Sequence, residues 1–300
     1  MFTKKTSLII PTRNRHKHLI KLLKFLNLSK IHFNEILIID SSEKNSFKKI
    51  NNYCSKYKKI KIIKSKPSTS LQRNIGLKRS SNKSKYILFL DDDIIFYKTA
   101  FSEMNKFINN NKQNNIAGFA FNLTSKKDRK FFKLIKEIIL FEKIGFYSSR
   151  PGKVLENGWH TQIENLKKNT FVEWIYSGAI LYVRDKIKNK KFEIKFGQYG
   201  YLEDLDFSYS LTRKGQKIFV VSKAKFLNPN YVNRSSFNFG KKEILNRYLI
   251  VKKYKLNKIK FLVSANLRLL ISFLGIIKLD FKLLFRSFGN LFAIIKILNG

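Results

Sequence analysis

Two short clusters hold six of the 20 acidic residues of this chain: Asp91-Asp92-Asp93 and Glu203-Asp204-Asp206. Adjacent carboxylates repel one another and raise one another's pKa values unless a cation or hydrogen-bond donors hold them. One interpretation is structural, with the abundant lysines neutralising the clusters in a salt-bridge network. The other is chemical, because carboxylates bind divalent cations through hard oxygen ligands and also transfer protons. The elements around the clusters decide between the two.

The composition excludes several classes of protein. Of the 300 residues 44% are hydrophobic and 14% are aromatic, so the chain can bury a core and is not a disordered basic tail. The single cysteine, Cys54, excludes a disulfide framework, and the four histidines lack the spacing of a structural metal site. No signal peptide is expected, because Pro11 stops a short apolar run after the basic N-terminus. We therefore expect a protein of the cytosolic side.

The charge is strongly positive, with 61 Lys and Arg against 20 Asp and Glu and a net charge of +41. Such a charge attracts nucleic acids, anionic lipids and phosphorylated substrates. The lysines are spread along the chain, and we find no recognition helix, zinc finger or aromatic-basic RNA-binding motif. We expect no specific nucleic acid partner. The alternative to an enzyme is a basic protein that binds nucleic acid or another acidic polymer.

The first ninety residues alternate short apolar runs with segments of helical periodicity. The pattern predicts strands at 7–10, 36–39, 60–63 and 86–90, and helices at 14–28, 46–57 and 68–79. Fully apolar strands separated by helices indicate an α/β fold, with a parallel sheet between layers of helices. Ligands of such sheets bind beyond the carboxyl ends of the strands. Pro11-Thr12-Arg13, Asp40 and Asp91-Asp92-Asp93 all occupy such ends.

The pattern is looser after Asp93. It predicts helices at 98–109, 126–142 and 204–214, strands at 116–121 and 218–221, and an apolar stretch at 171–183. We expect an α/β domain over 1–235, with halves 1–95 and 96–235, and a basic helical segment over 236–300.

The C-terminal segment is basic and amphipathic. Residues 241–300 carry thirteen Lys and Arg and two acids, and no apolar run approaches the roughly 18 residues of a spanning helix. On a helical wheel, the basic residues fall in one narrow stripe: Arg268, Lys278, Lys282, Arg286 and Lys296. The same stripe contains Gly275, Gly289 and Ala293, and Leu, Ile and Phe fill most of the remaining circumference. This pattern is typical of helices that lie in a membrane interface. The alternative is that these helices pack onto the preceding domain or form a dimer.

Six motifs, in their order, resemble those of the inverting family 2 glycosyltransferases with the GT-A fold. They are SLIIPTRNR, EILIIDSS, SLQRNIGLKRS, YILFLDDDI, YSGAILYVRD and YLEDLDFSYSLTRKG, and they span roughly residues 6–230. The resemblance implies a Rossmann-like, mainly parallel sheet flanked by helices, followed here by C-terminal amphipathic helices. It also implies transfer of a sugar from a nucleotide-sugar.

The resemblance further implies roles in donor binding. The PTR segment of the first motif would meet the nucleotide base, and Asp40 would hydrogen-bond that base. Arg73 and Asn74 would lie near the diphosphate. Asp92 would reach the ribose. These nucleotide-sugar-binding residues are Pro11, Thr12, Arg13, Asp40, Arg73, Asn74 and Asp92. Asp91 and Asp93 would bracket Mg²⁺ or Mn²⁺, which neutralises the charge that develops on a nucleoside diphosphate leaving group.

The resemblance places the general base at Asp204, with Glu203 and Asp206 as alternates. In inverting transfer an acceptor hydroxyl attacks from the face opposite the diphosphate, and a carboxylate must remove its proton. Trp174, Tyr176 and Tyr199 are candidates for a sugar-stacking surface, although aromatic residues in apolar stretches usually belong to the core.

The chain departs from the family pattern at two places. Many relatives place a metal-binding His after the last strand, whereas residues 225–236 contain none, so Asn228, Asn230 or no protein ligand must substitute. Relatives also often carry an Arg where Ser210 stands, a contact that Arg213 would have to supply.

We therefore expect a metal-assisted glycosyltransferase that acts on a glycan or lipid-linked glycan in cell-envelope polysaccharide or lipopolysaccharide biosynthesis. We expect it to lie peripherally on the cytoplasmic face of the inner or plasma membrane, held by the C-terminal helices. A nucleotidyltransferase would need a Gly-rich phosphate loop after the first strand, and residues 11–15 contain no glycine.

Overall fold

The computed structural model describes residues 1–111, 113–125, 142–198, 200–229, 234–274 and 281–300. The strands are β1 Thr6–Thr12, β2 Glu35–Asp40, β3 Ile60–Lys64, β4 Tyr86–Leu90, β5 Ile95–Phe96, β6 Ile116–Thr124, β7 Thr170–Val172, β8 Ala179–Val183 and β9 Lys217–Leu227. The helices are α1 His16–Leu28, α2 Lys44–Cys54, α3 Thr69–Arg79, α4 Ala100–Asn110, α5 Arg184–Ile187, α6 Glu203–Thr212, α7 Phe237–Lys253, α8 Lys258–Phe273 and α9 Phe281–Leu298. The helix predicted at 126–142 lies outside the described residues except for Glu142.

The strands form one sheet in the order β3-β2-β1-β4-β8-β6-β9-β5, with β7 paired to β9. From β3 to β4 all pairings are parallel, and Thr12 lies beside Asp40 in the register of β1 and β2. Strand β8 then runs antiparallel to β4, which sets Leu90 opposite Ala179. The predicted α/β sheet with flanking helices is confirmed, and its second half is mixed. The ends of β1, β2 and β4 and the start of β8 therefore meet at one edge.

The core explains why the early strands are apolar on both faces. Every residue of β1 and of β4 is buried, as expected for central strands covered by helices on both sides. Helix α1 buries Leu19, Leu22, Leu23 and Leu26, which recur at helical spacing. Each such side chain contributes roughly 1.5–3 kcal/mol when fully buried. This packing makes the sheet edge a rigid support for the loops that follow its strands.

The chain divides into two compact units, Met1–Lys126 with Ile163–Asn230 and Lys127–Gln162 with Tyr231–Gly300. The sheet belongs to the first unit. In the second, residues 142–162 pack with the C-terminal helices: Asn157 Nδ2 donates to Ser264 Oγ at 2.8 Å, and Lys260 Nζ pairs with Glu156 at 2.6 Å. The predicted domain limit at residue 235 stays a prediction.

The second unit, which we call the helical unit, contains a buried ion-pair network beside an apolar cluster that includes Ile244 and Phe261. Glu243 of α7 is buried and pairs with Arg286 of α9 and with Arg268 of α8, the latter at 3.4 Å. Burial alone would raise the pKa of Glu243, but Arg268, Arg286 and Arg247 outweigh it and lower the pKa to about 2. Of the stripe expected on the helical wheel, Gly275 and Lys278 lie outside the described residues, and the described part is partly internal. Lys282 and Lys296 are exposed, whereas Arg286 is buried.

Two glycines, Gly240 and Gly289, explain why Arg286 faces inward. A side chain at Gly289 would overlap the carbonyl oxygen of Phe237, and one at Gly240 would overlap the carbonyl oxygen of Arg286. Close approach of α7 and α9 therefore requires glycine at both positions, and Arg286 is carried inward with them.

The opposite face of α8 and α9 is apolar and exposed. Its large side chains, each at least 40% exposed, are Ile259, Val263, Leu267, Leu270, Ile271, Phe273, Leu274, Phe281, Phe285, Phe288, Leu291, Phe292, Ile295 and Leu298. We call this set the outer apolar face. None of the described helices combines the length and the apolar character that a bilayer-spanning helix needs.

Candidate active site

Helix α3 is tied directly to the edge where the strands end. Gln72 donates from Nε2 to the carbonyl oxygens of Thr12, at 2.9 Å, and Ile39, at 2.6 Å. These bonds satisfy buried carbonyls of β1 and β2, and they fix the helix that carries Arg73 and Asn74. Strands β1 and β2 and helix α3, which carry the sequence-predicted donor residues, therefore meet at this edge.

Asp40 is the last residue of β2, and one of its two carboxylate oxygens accepts a hydrogen bond. Its Oδ1 accepts from the backbone N–H of Ser42 at 2.7 Å, whereas Oδ2 is buried and has no hydrogen-bond partner among the described residues. A buried acceptor without a donor costs about 1–3 kcal/mol. This oxygen is therefore suited to a donor group from a ligand. Of its neighbours, Pro11 is buried and Arg13 is exposed.

The central carboxylate of the DDD run is held from the first strand. Thr12 donates from Oγ1 to Asp92 Oδ2 at 2.6 Å, and Arg15 donates from Nη1 to Asp92 Oδ1 at 3.4 Å. The same Nη1 pairs with Asp93 Oδ2. Burial raises the pKa of Asp92 to about 7, with Asp93 and Asp91 adding to the rise and Thr12 and Arg15 opposing it.

Arg73 joins the two acidic clusters. Its guanidinium is buried, with the side chain only 4% exposed, and it donates to Asp91 Oδ1 at 3.0 Å and to Glu203 Oε1 at 2.6 Å. Asn74 contacts neither cluster. Its amide exchanges two hydrogen bonds with the backbone of Phe192, at 2.7 and 2.8 Å, and so places the ring that lies 5.5 Å from the Arg73 guanidinium carbon.

Gly178 provides the room for Asp91. The Asp91 N–H donates to the Gly178 carbonyl at 2.8 Å, and a Cβ at Gly178 would stand 2.6 Å from Asp91 Oδ2. Asp91 remains 36% exposed at its side chain, so a ligand can reach it. Its pKa is raised, because desolvation and Asp93 outweigh the attraction of Arg73.

The second cluster forms the first turn of α6. Leu202, just before it, has a φ of +76°, a backbone conformation that non-glycine residues rarely adopt. Negative charge is stabilised at a helix N-terminus. Glu203 and Asp206 are buried, whereas Asp204 is partly exposed and accepts from the Leu205 N–H at 2.8 Å.

Glu203 itself is strongly perturbed. Burial and the charge of Asp204 raise its pKa to about 8, against the lowering effect of Arg73. Of the three acids in this turn, only Asp204 is partly exposed, whereas Glu203 and Asp206 are buried.

The donor set suits a divalent cation. Asp91 and Asp93 offer hard carboxylate oxygens, which Mg²⁺ and Mn²⁺ prefer, and the Asp91 side chain is 36% exposed whereas Asp93 is buried. Burial is the main cause of the raised pKa of Asp91, and a cation bound at its carboxylate would stabilise the charged form. Within the described residues no group of three or more His, Cys, Asp and Glu side chains converges. Phosphate oxygens and water would have to complete the shell. Asn228 is exposed after β9, and Asn230 lies outside the described residues.

The remaining predicted residues differ in placement. Trp174 is 1% exposed and packs edge-on against Tyr176, so Trp174 belongs to the core; Tyr199 lies outside the described residues. At Ser210 the nearby cation is Lys190, which donates to Oγ at 3.0 Å, while Arg213 is exposed. Sequence reasoning missed Lys190 and Arg15. Only the position of Arg15 within the PTRNR motif could have indicated it.

Comparison with known proteins identifies a family for this chain. The family model "Glycosyl transferase family 2" matches residues 7–168. An uncharacterized glycosyltransferase of Rickettsia conorii is 38% identical over 109 residues, and one of Rickettsia felis is 36% identical over 109 residues. In each case the match covers 36% of this chain, and the chain spans only 18% of the relative's length.

Solved structures share the fold at low identity. The mannosyltransferase PcManGT of Pyrobaculum calidifontis, in complex with GDP-Man and Mn²⁺, has a TM-score of 0.55 at 10% identity, over 83% of this chain and 64% of its own. GalNAc-T7 with UDP, GalNAc and Mn²⁺ has a TM-score of 0.58 at 12% identity, over 80% and 47%. S. aureus TarS 1-349 has a TM-score of 0.52 at 17% identity, over 86% and 70%. The fold is GT-A. Because the family model covers more than half of the 300 residues and the fold agrees with it, the chain belongs to glycosyl transferase family 2.

Proposed function

We propose that this protein transfers a sugar, with inversion, from a nucleotide-sugar to a glycan or lipid-linked glycan acceptor in cell-envelope polysaccharide assembly. The observation that carries the proposal is the Arg73 bridge, which joins Asp91 at the donor strand edge to Glu203 in the first turn of α6. Donor and acceptor chemistry need such a common site, because attack and departure occur at one carbon.

Donor binding is assigned to the strand edge. The free oxygen of Asp40 suits an N–H of a nucleotide base, and Asp92 suits a ribose hydroxyl. Pro11, Arg13 and Asn74 complete the proposed donor site, with Asn74 acting through Phe192. Two structural neighbours are described with GDP-Man or UDP bound, which supports a nucleotide donor.

Asp91 and Asp93 would hold Mg²⁺ or Mn²⁺, which neutralises charge on a departing diphosphate. Asp204 takes the proton of the acceptor hydroxyl. Asp204 is preferred over Glu203 and Asp206 because those two are buried and Glu203 already faces Arg73. A base at this position must be reachable by the acceptor.

The experiment is calorimetry of UDP, GDP and dTDP, with and without Mn²⁺. We expect one nucleotide to bind with metal and Asp91→Asn to weaken that binding at least about tenfold, a loss of roughly 1.4 kcal/mol. Asp204→Asn should bind normally but transfer no sugar, and Asp185→Asn, an exposed acid beyond β8, should change neither. If no nucleotide binds while acidic polymers bind in a salt-dependent way, the basic-binder alternative replaces this proposal.

We also propose that the helical unit holds the enzyme peripherally on the cytoplasmic face of a membrane. The outer apolar face supplies aromatic and aliphatic contact, and exposed Lys282 and Lys296 supply charge for anionic headgroups. A self-association through this face is opposed by the net charge of +41 on each copy.

Flotation with phosphatidylglycerol and phosphatidylcholine vesicles tests the membrane proposal. We expect co-flotation with the anionic vesicles and its loss in Phe285→Ser/Phe288→Ser, two exposed positions that leave the Glu243 network intact. Equal recovery of both proteins with both kinds of vesicle, or a dimer that forms through this face, would contradict the proposal.

A further inference from the structure

Arg15 lies where a cation would be expected between two of the DDD acids. Its Nη1 pairs with Asp93 Oδ2 and stands 3.4 Å from Asp92 Oδ1. The acids are buried, whereas the Arg15 side chain is 42% exposed. Arg15 precedes α1 as its N-cap residue, so its backbone is anchored while its guanidinium reaches across to the other strand end.

The chemistry of this contact resembles that of a bound metal ion. Desolvated carboxylates need a positive partner, and a guanidinium supplies one charge through directed hydrogen bonds. A divalent ion at Asp93 would bring two further charges close to Arg15, and like charges at such a distance repel. Arg15 and the metal therefore oppose each other unless additional negative charge is present.

We infer that Arg15 is a resident counter-cation of Asp92 and Asp93 that makes metal binding depend on the nucleotide. Without a nucleotide, the guanidinium occupies the carboxylates and disfavours the divalent ion. A diphosphate contributes the negative charge that lets the ion and Arg15 coexist. Metal and nucleotide then bind with positive coupling, and the coupling is reciprocal. The dependence on nucleotide rests on the proposed donor site. The competition between Arg15 and the divalent ion requires only that the ion binds at Asp93.

The test is Mn²⁺ binding without nucleotide, followed by calorimetry or by the EPR signal of free Mn²⁺. Arg15→Ala should bind Mn²⁺ at least about fivefold more tightly than the wild type, because one opposing charge is lost next to the ligand. Lys17→Ala removes an equal charge from an exposed position on α1 and should change the affinity less than about twofold. In Arg15→Ala/Asp93→Asn the gain should disappear.

A second measurement uses the nucleotide that binds the wild type. The Mn²⁺ affinity with that nucleotide, divided by the affinity without it, should be smaller in Arg15→Ala. It should fall by the factor by which nucleotide-free Mn²⁺ binding tightens, because the substitution raises only the nucleotide-free affinity. Unchanged or weaker Mn²⁺ binding by Arg15→Ala would overturn the inference. Nucleotide binding by the wild type would still support the proposed function in that case, so the two failures are distinguishable.

Discussion

Replacing Arg73 by Met tests how strongly the buried bridge couples the two acidic clusters. Methionine approximates the length and volume of the arginine stem but removes the guanidinium. Asp91 and Glu203 then lose the cation that pairs with both of them. Because their pKa values are already raised, we expect these acids to take up protons in the variant rather than stay charged.

The magnitude follows from burial. The side chains of Arg73 and Glu203 are 4% and 7% exposed, so solvent screens their attraction little. Removing one partner of such a buried pair costs about 3–5 kcal/mol. The exposed pair Lys106–Glu103, with N and O 3.1 Å apart, has side chains that are 72% and 22% exposed. Pairs of that kind contribute about 0.3–0.5 kcal/mol.

The assay is a double-mutant cycle in urea unfolding with Arg73→Met, Glu203→Gln and the combined variant. We expect a coupling free energy of about 1–3 kcal/mol for this pair, in the range found for contacting residues. The matched cycle on Lys106 and Glu103 should give less than about 0.5 kcal/mol. A coupling at Arg73 and Glu203 that is no larger than that of the exposed pair would refute the argument from burial.

Three further predictions concern the site and the helical unit. Gly178→Ala should displace the Asp91 carboxylate and weaken Mn²⁺-dependent nucleotide binding about tenfold or more by calorimetry, with a nearly unchanged melting temperature. The pKa values of Asp92, about 7, and Glu203, about 8, exceed the roughly 4 of carboxyl groups in unfolded chains. Between about pH 4 and these folded values, the folded state therefore binds more protons than the unfolded state. The free energy of unfolding should therefore fall from pH 6 to pH 9, and less so in Asp92→Asn/Glu203→Gln. Gly289→Ala should destabilise the helical unit by about 1–3 kcal/mol in denaturant titration, because the new methyl group overlaps the α7 backbone.

Local patterns predicted most elements of the first ninety residues. The helix predicted at 68–79 occupies Thr69–Arg79, with Ser68 accepting from the Leu71 N–H at 3.3 Å as an N-cap. The strand predicted at 86–90 is observed as Tyr86–Leu90. The two-residue strand β5 and the single-turn helix α5 were missed, because such short elements have no periodicity to read.

Long-range partners were beyond the reach of these patterns. The antiparallel insertion of β8 beside β4 pairs residues almost a hundred positions apart, and it alone brings Gly178 to Asp91. In the same way, the stripe on α9 was visible on a helical wheel. Its direction depended on which face could approach α7 closely enough, and Gly240 and Gly289 determined that face.

The sequence by itself determined the α/β class, the strand ends at which Asp40 and Asp91 stand, and the two acidic clusters, because burial and periodicity are local properties of a chain. Tertiary structure decided that Arg73 joins those clusters, that Arg15 pairs with Asp93, and that Asp204 is the accessible acid of its turn. Charge pairing and exposure depend on which side chains, distant in the sequence, come into contact, and this is determined only when the chain packs.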